Sequence, residues 1–166
     1  MFRTIEDFEK RWDGERQSSL KVMRALTDTS LGQTVAPGGR SLGRIAWHIV
    51  QTLAEMGGHA GLKVEGADEK APQPAEAAAI ADAYAANAEA LTRAVKAGWT
   101  DVDLPGEIDM YGEKWTRGQA LAALVAHEVH HRGQMTVLMR QAGLAVPGVY
   151  GPAKEEWAAY GMPVQE

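Results

Sequence analysis

The stretch HEVHHRGQMTVLMRQAGL, residues 127–144, contains three of the chain's five histidines and the end of a long amphipathic segment. Apolar side chains recur along one side of this segment at helical spacing, on the side that also carries the last of the three histidines. Gly143 follows the final periodic residue, where glycine commonly terminates a helix. Upstream, Thr116 and Gln119 have the spacing of a capping box. The sequence therefore predicts a helix over residues 116–142.

The spacing of the histidines in this helix points to two interpretations. His127 and His131 are four residues apart, so they lie on one face, about 6 Å apart along the axis. Two imidazoles in that relation can bind one metal ion. His130 lies toward the edge of the same face. Spacing alone fits a metal site and a pair of buried, hydrogen-bonded histidines equally well.

A possible third ligand lies far upstream, in GRIAWHIVQT. His48 stands beside the apolar stripe of a helix predicted over residues 41–57, where its ring could turn toward a bundle interior. Three histidines would leave coordination positions for water or substrate, which is typical of catalytic metal sites. His59 is less suitable, because Gly57 and Gly58 are predicted to end the helix before it.

The remaining segments complete an all-α pattern. Helices are predicted over residues 4–26 and 74–97, and DVDLPGEIDMYGEKW (101–115) has turn residues that fit a short hairpin or an extended crossover. A tail rich in glycine and proline follows over residues 143–166. The prediction is a single domain, residues 1–166, folded as a four-helix bundle with a crossover or short hairpin before the last long helix.

Composition excludes several functional classes. With 17 Lys and Arg against 22 Asp and Glu, the net charge is −5, which argues against a nucleic-acid surface. The chain has no cysteine, so thiolate ligands and a thiol nucleophile are excluded, and any metal must be bound by His, Asp, Glu or water. The N-terminus lacks the apolar region of a signal peptide, and no apolar run is long enough to span a membrane. We therefore expect a cytoplasmic protein that does not bind a membrane.

HEVHH also matches the H-E-x-x-H pattern of zinc peptidases, in which Glu128 would be the general base. Such an enzyme would need a downstream carboxylate, for which Glu155 or Glu156 could serve, and a substrate-binding edge strand. The chain offers little strand. We interpret Glu128 as a charged residue at the edge of a helix interface, paired with an arginine, and the peptidase match as coincidental.

Taken together, these motifs resemble the DinB family of damage-inducible, metal-dependent proteins. The family pattern is a histidine on the second helix and H-x-x-x-H-R-G-Q on the fourth, and here VPGVYGP (146–152) follows it. The chain matches the pattern at His48, His127, His131, Arg132, Gly133 and Gln134.

The resemblance implies a homodimeric four-helix bundle with a divalent nickel, zinc or iron ion bound by His48, His127 and His131. It assigns no role to Glu128. Related enzymes include transferases that use low-molecular-weight thiols such as bacillithiol or mycothiol, and a thiol-dependent isomerase.

From the resemblance we expect a metal-dependent enzyme that acts on a small-molecule substrate by activating a thiol, as an S-transferase, or water, as a hydrolase. Trp47, Arg132 and Tyr150 are candidates for lining the pocket or supporting the ligands. The alternatives are a metallopeptidase that uses Glu128, and a non-catalytic metal-binding or dimerisation module.

Overall fold

The computed structural model describes residues 1–163. It is dominated by four helices, with three short 3-10 helices and one two-stranded sheet among the described residues. The long helices are α1 (Ile5–Arg24), α2 (Leu42–His59), α3 (Ala77–Gly98) and α4 (Arg117–Gln141). The four-helix bundle predicted from the sequence is thus confirmed.

Each helix packs mainly against two others. α1 and α2 both contact α3 and α4, so α1 lies diagonally opposite α2, and α3 diagonally opposite α4. The connections from α1 to α2 and from α3 to α4 therefore cross the bundle. Large apolar and aromatic side chains from α1, α2, α3 and α4 fill the centre, among them Phe8, Trp12, Ile49, Tyr84 and Met135. Their burial removes apolar surface from water and is the main stabilising contribution to the fold.

The excursion before α4 is a hairpin, one of the two forms predicted for it. Strands β1 (Glu107–Met110) and β2 (Glu113–Thr116) pair antiparallel. The turn residues Tyr111 and Gly112 have φ of 57° and 84°, as a two-residue turn with positive φ at both positions requires. The hairpin packs on α4.

The helix ends follow the capping chemistry, with one correction. The capping box of Thr116 and Gln119 is present, and Gly143, at φ 73°, follows the end of α4. The prediction that Gly57 and Gly58 end α2 is wrong, because the helix continues to His59. A Cβ atom on Gly57 would lie 2.5 Å from Val64, so this glycine allows the following segment to pack closely against the helix.

Of the other two helix starts, that of α1 agrees with the prediction and that of α3 differs slightly from it. α3 begins at Ala77 rather than near Pro74, and its first backbone N–H binds the Asp28 carboxylate. α1 begins after Thr4, whose hydroxyl accepts from the Asp7 N–H. Within residues 1–163, no helix is long and apolar enough to cross a membrane.

Candidate metal centre

Three histidines converge where α2 packs against α4. His48 extends from α2 and meets His127 and His131 from successive turns of α4. One ligand nitrogen from each ring lies within 4.8 Å of the other two. The ring centroids are 4.4 Å apart for His127 and His131, and 4.7 Å apart for His48 and His131. We call these three residues the histidine triad; the structure brings together the three residues predicted as ligands.

The spacing of the triad fits a metal ion. The Nε2 atoms of His127 and His131 are 3.1 Å apart. Two imidazole nitrogens that bind one ion at about 2.1 Å lie about 3.0 to 3.4 Å from each other, depending on the coordination angle. His127 and His131 therefore already have the spacing of two ligands of one ion, and a nitrogen of His48 lies within 4.8 Å of both.

Gln134 fixes the orientation of one ring. Its Oε1 lies 2.8 Å from Nδ1 of His131. An amide oxygen only accepts hydrogen bonds, so Nδ1 carries the proton and the lone pair of the neutral ring is on Nε2, the atom that faces His127. Hydrogen bonds of this kind to the distal nitrogen are typical of histidines that bind metals.

The electrostatic environment keeps the triad neutral. Burial, with a further contribution from the neighbouring imidazoles, lowers the pKa of both His48 and His127 to about 4. Burial also lowers the pKa of His131, although the hydrogen bond to Gln134 opposes this effect. The positive charge of Arg40 contributes to all three shifts. At neutral pH each ring is therefore uncharged, with one nitrogen whose lone pair is free to bind a metal.

Two cavities flank the triad. His131 and Gln134 line one of 480 Å³, beside the loop that precedes α2. His48 and His127 line another of 400 Å³, beneath the hairpin. Both volumes fall in the range of small-molecule sites. The triad is thus accessible from two sides.

Glu128 does not belong to the triad, and its predicted position at the interface edge is wrong. The residue is 1% exposed and points into the bundle centre. Its Oε1 accepts from Ser19 Oγ of α1 at 2.7 Å and from Tyr84 Oη of α3 at 2.8 Å. Burial raises the pKa of the Glu128 carboxyl to about 7, although both hydrogen bonds oppose the rise. The pairing with an arginine that we expected is absent from the described contacts, since Arg132 pairs with another carboxylate.

The comparisons with known proteins agree with this geometry. The sequence pattern of the DinB family matches residues 1–166. The chain belongs to the DinB family. It is 44% identical over 162 residues to the uncharacterized protein YrdA of Bacillus subtilis (strain 168). The matched region covers 98% of this chain and 97% of YrdA.

Solved structures of DinB-like proteins have the same architecture. One from Bacillus cereus ATCC 10987 superposes with a TM-score of 0.87 at 47% identity, covering 90% of this chain and 100% of that one. YjoA of Bacillus subtilis superposes with a TM-score of 0.68 at 19% identity, covering 86% and 96% of the two chains. The second likeness shows the DinB fold alone.

The arginine of the DinB motif supports the bundle from inside. Arg132 and Glu15 form an ion pair in which both side chains are 3% exposed. Arg132 also donates to Ser19 Oγ and to Tyr150 Oη, and Tyr150 Oη lies 2.9 Å from the Glu15 carboxylate. These contacts join α1, α4 and the C-terminal tail. Arg132 and Tyr150 therefore stabilise the ligand-bearing helix and do not line either cavity beside the triad.

Other candidates from the sequence have structural contacts. Trp47 is buried, and its Nε1 donates to the Ala71 carbonyl. His130 is exposed, with its Nε2 3.1 Å from Gln134 Nε2. Glu155 pairs with Arg140, and Glu156 lies 3.3 Å from Lys21. These two carboxylates are not part of the three-histidine group.

The hairpin contributes residues near the DinB site that the sequence did not reveal. Tyr111 lines the cavity that contains His48, and its hydroxyl donates to the Glu55 carboxylate at 3.0 Å. His59 lies 3.4 Å from the same carboxylate. The sequence signal that could have indicated this role is Tyr111 before Gly112 in the predicted hairpin, at a turn position where asparagine is more usual.

Proposed function

We propose that this DinB protein is a metal-dependent enzyme that binds a divalent nickel, zinc or iron ion through His48, His127 and His131 and acts on a small molecule. The observation that carries this proposal is the convergence of three neutral imidazoles from two helices, with one nitrogen from each within 4.8 Å of the others. Three protein ligands leave coordination positions open, as in catalytic metal sites.

The reaction we favour is transfer of a low-molecular-weight thiol to an electrophile; hydrolysis of a small molecule is the second candidate. A divalent ion would supply Lewis-acid chemistry that stabilises the deprotonated form of a thiol or of water near neutral pH. The two cavities favour transfer, because a two-substrate reaction needs room for two molecules beside the ion. A peptidase is disfavoured, because Glu128 is held by Ser19 and Tyr84 in the bundle centre.

The roles of the chain's own residues follow from their contacts. His131 is oriented by Gln134, and the buried ion pair of Arg132 and Glu15 holds α4 against α1. The two cavities position the reactants beside the triad. The family resemblance supports a homodimer, which light scattering on the purified protein would test, and the cytoplasmic location stays a prediction.

Metal content tests the site directly. We expect His127→Ala to lose most of the bound metal in elemental analysis of purified, reconstituted protein. His130→Ala is the matched control, because this neighbouring histidine is exposed and lies outside the triad, and it should retain the metal. Unchanged metal content in His127→Ala would overturn the assignment of the ligands.

A second measurement separates the enzyme from a non-catalytic module. An enzyme should conjugate a low-molecular-weight thiol to a model electrophile only when metal is present, and chelation should lower its melting temperature only partly. If the metal is structural, the protein should unfold on chelation, because metal binding then contributes directly to folding. Cooperative unfolding on chelation without any conjugation would favour the module.

A further inference from the structure

The larger cavity beside the triad has one charged side chain among its described lining residues. Arg40 lies at one side of it, and His131 and Gln134 lie at another. Val35, Ile45, Val137 and Leu138 make the rest of the surface mostly apolar. A concave, mostly apolar surface with one charged side chain, here the exposed Arg40, is typical of a site for an amphiphilic small molecule.

The Arg40 guanidinium has no partner among the described residues. It is exposed and forms no ion pair and no hydrogen bond there, as is also true of Arg3 and Arg24, whereas Arg11, Arg16, Arg93, Arg132 and Arg140 pair with carboxylates. No carboxylate lies among the residues that line the cavity. A guanidinium binds a carboxylate through two parallel hydrogen bonds, and an apolar environment strengthens that interaction.

Backbone hydrogen bonds hold the loop that carries Arg40. Gly39 N–H binds the Ala36 carbonyl at 3.0 Å, and Leu42 N–H binds the Gln33 carbonyl at 2.8 Å. These two bonds close the loop on both sides of Arg40. Ser41, the next residue, caps α2 through the Arg44 N–H, so the position of Arg40 is tied to the helix that carries His48.

We infer that the cavity between Arg40 and His131 binds a small carboxylate with an apolar chain, with the carboxylate on Arg40 and the chain on Val137 and Leu138. Binding in this orientation would place the body of the molecule beside the triad. As a statement about the substrate class, this inference rests on the proposed function; the binding site itself does not require it.

Binding measurements with simple probes test the inference. The affinities of hexanoate and hexanamide are measured by calorimetric titration. Metal-free protein is used so that the carboxylate cannot bind directly to an ion. We expect hexanoate to bind about tenfold more tightly than hexanamide, because only the carboxylate forms a charge-assisted pair with Arg40. Arg40→Gln should abolish this preference while its melting temperature and metal content stay unchanged.

Arg44→Gln is the matched control. It removes the same charge four residues later, in the first turn of α2, but Arg44 donates to Gln51 and is not among the cavity residues. This variant should keep the preference for hexanoate. Val137→Asn, at a half-exposed position, should weaken hexanoate about threefold and leave acetate unchanged, since only the longer chain reaches the apolar wall.

Three results would overturn the inference: no measurable binding of hexanoate, equal affinity for hexanoate and hexanamide, or an unchanged preference in Arg40→Gln. A preference seen only in metal-loaded protein and retained by Arg40→Gln would assign the carboxylate to the ion, which also overturns it. His127→Ala distinguishes failure of this inference from failure of the proposed function. The variant lacks the metal site but should still bind hexanoate more tightly than hexanamide, as the metal-free protein does.

Discussion

The Oε1 atom of Gln134 lies 2.8 Å from Nδ1 of His131, one turn away on the same helix, and this hydrogen bond directs the Nε2 lone pair of His131 toward the other two histidines. The glutamine thus acts on the site without belonging to the triad. Its position in the R-G-Q part of the motif has a physical reason: the spacing of three residues places the amide beside the ring.

Replacing Gln134 should therefore weaken metal binding while the three histidines stay in place. We expect Gln134→Met to lower the metal affinity at least about tenfold, the usual effect of losing such a supporting hydrogen bond. Gln134→Glu should keep the affinity, because a carboxylate also accepts from Nδ1. Competition with a chromophoric chelator measures both values. Gln141→Met, an exposed substitution on the same helix, is the control, and equal affinity in Gln134→Met and Gln141→Met would contradict the prediction.

Glu128 should make stability depend on pH in an unusual direction for a carboxylate. Its folded-state pKa of about 7 lies above the ordinary value of 4.5. The folded state therefore binds the proton more tightly, and the stabilisation is fully present below about pH 4.5 and is lost as the pH rises through about 7. A shift of this size corresponds to a cost of the ionised form on the order of 3 kcal/mol.

Urea denaturation of metal-free protein between pH 5 and 8 tests this assignment. Glu128→Gln lacks the titrating group, so its free energy of unfolding relative to the unsubstituted protein should increase with pH. Glu65→Gln, at an exposed carboxylate, should show no such trend. A pH-independent difference for Glu128→Gln would refute the raised pKa. The variant should also retain its metal, because Glu128 is not a ligand.

Local sequence patterns predicted the helices and the pairing of His127 with His131 because their signals are local. Helical spacing places His127 and His131 on one face, and the capping residues around α4 determine its ends. His48 needed the family resemblance, since its approach to α4 depends on how the bundle packs.

The features that the sequence did not predict depend on distant partners. Glu128 is buried because Ser19, 109 residues away, and Tyr84, 44 residues away, both donate to it. Gly57 lies inside α2, where the absence of a Cβ leaves room for Val64 of the following segment. Spacing within one segment contains no information about such partners, so Glu128, beside an apolar stripe, was assigned to the edge of a helix interface with an arginine as its partner.

The buried ion pair of Arg132 and Glu15 offers the sharpest test of how α4 is held. Arg132→Met would remove the buried countercharge of the Glu15 carboxylate and leave beside it only Arg11, whose side chain is 53% exposed, and we expect a loss of about 3 kcal/mol in the free energy of unfolding. Arg140→Met is the matched control on the same helix, because its pair with Glu155 is 41% exposed on both sides and should contribute less than about 1 kcal/mol. Adding Glu15→Gln to Arg132→Met should recover part of the loss, since the uncompensated charge is then removed. A loss below about 1 kcal/mol in Arg132→Met would show that the pair does not hold α4 against α1.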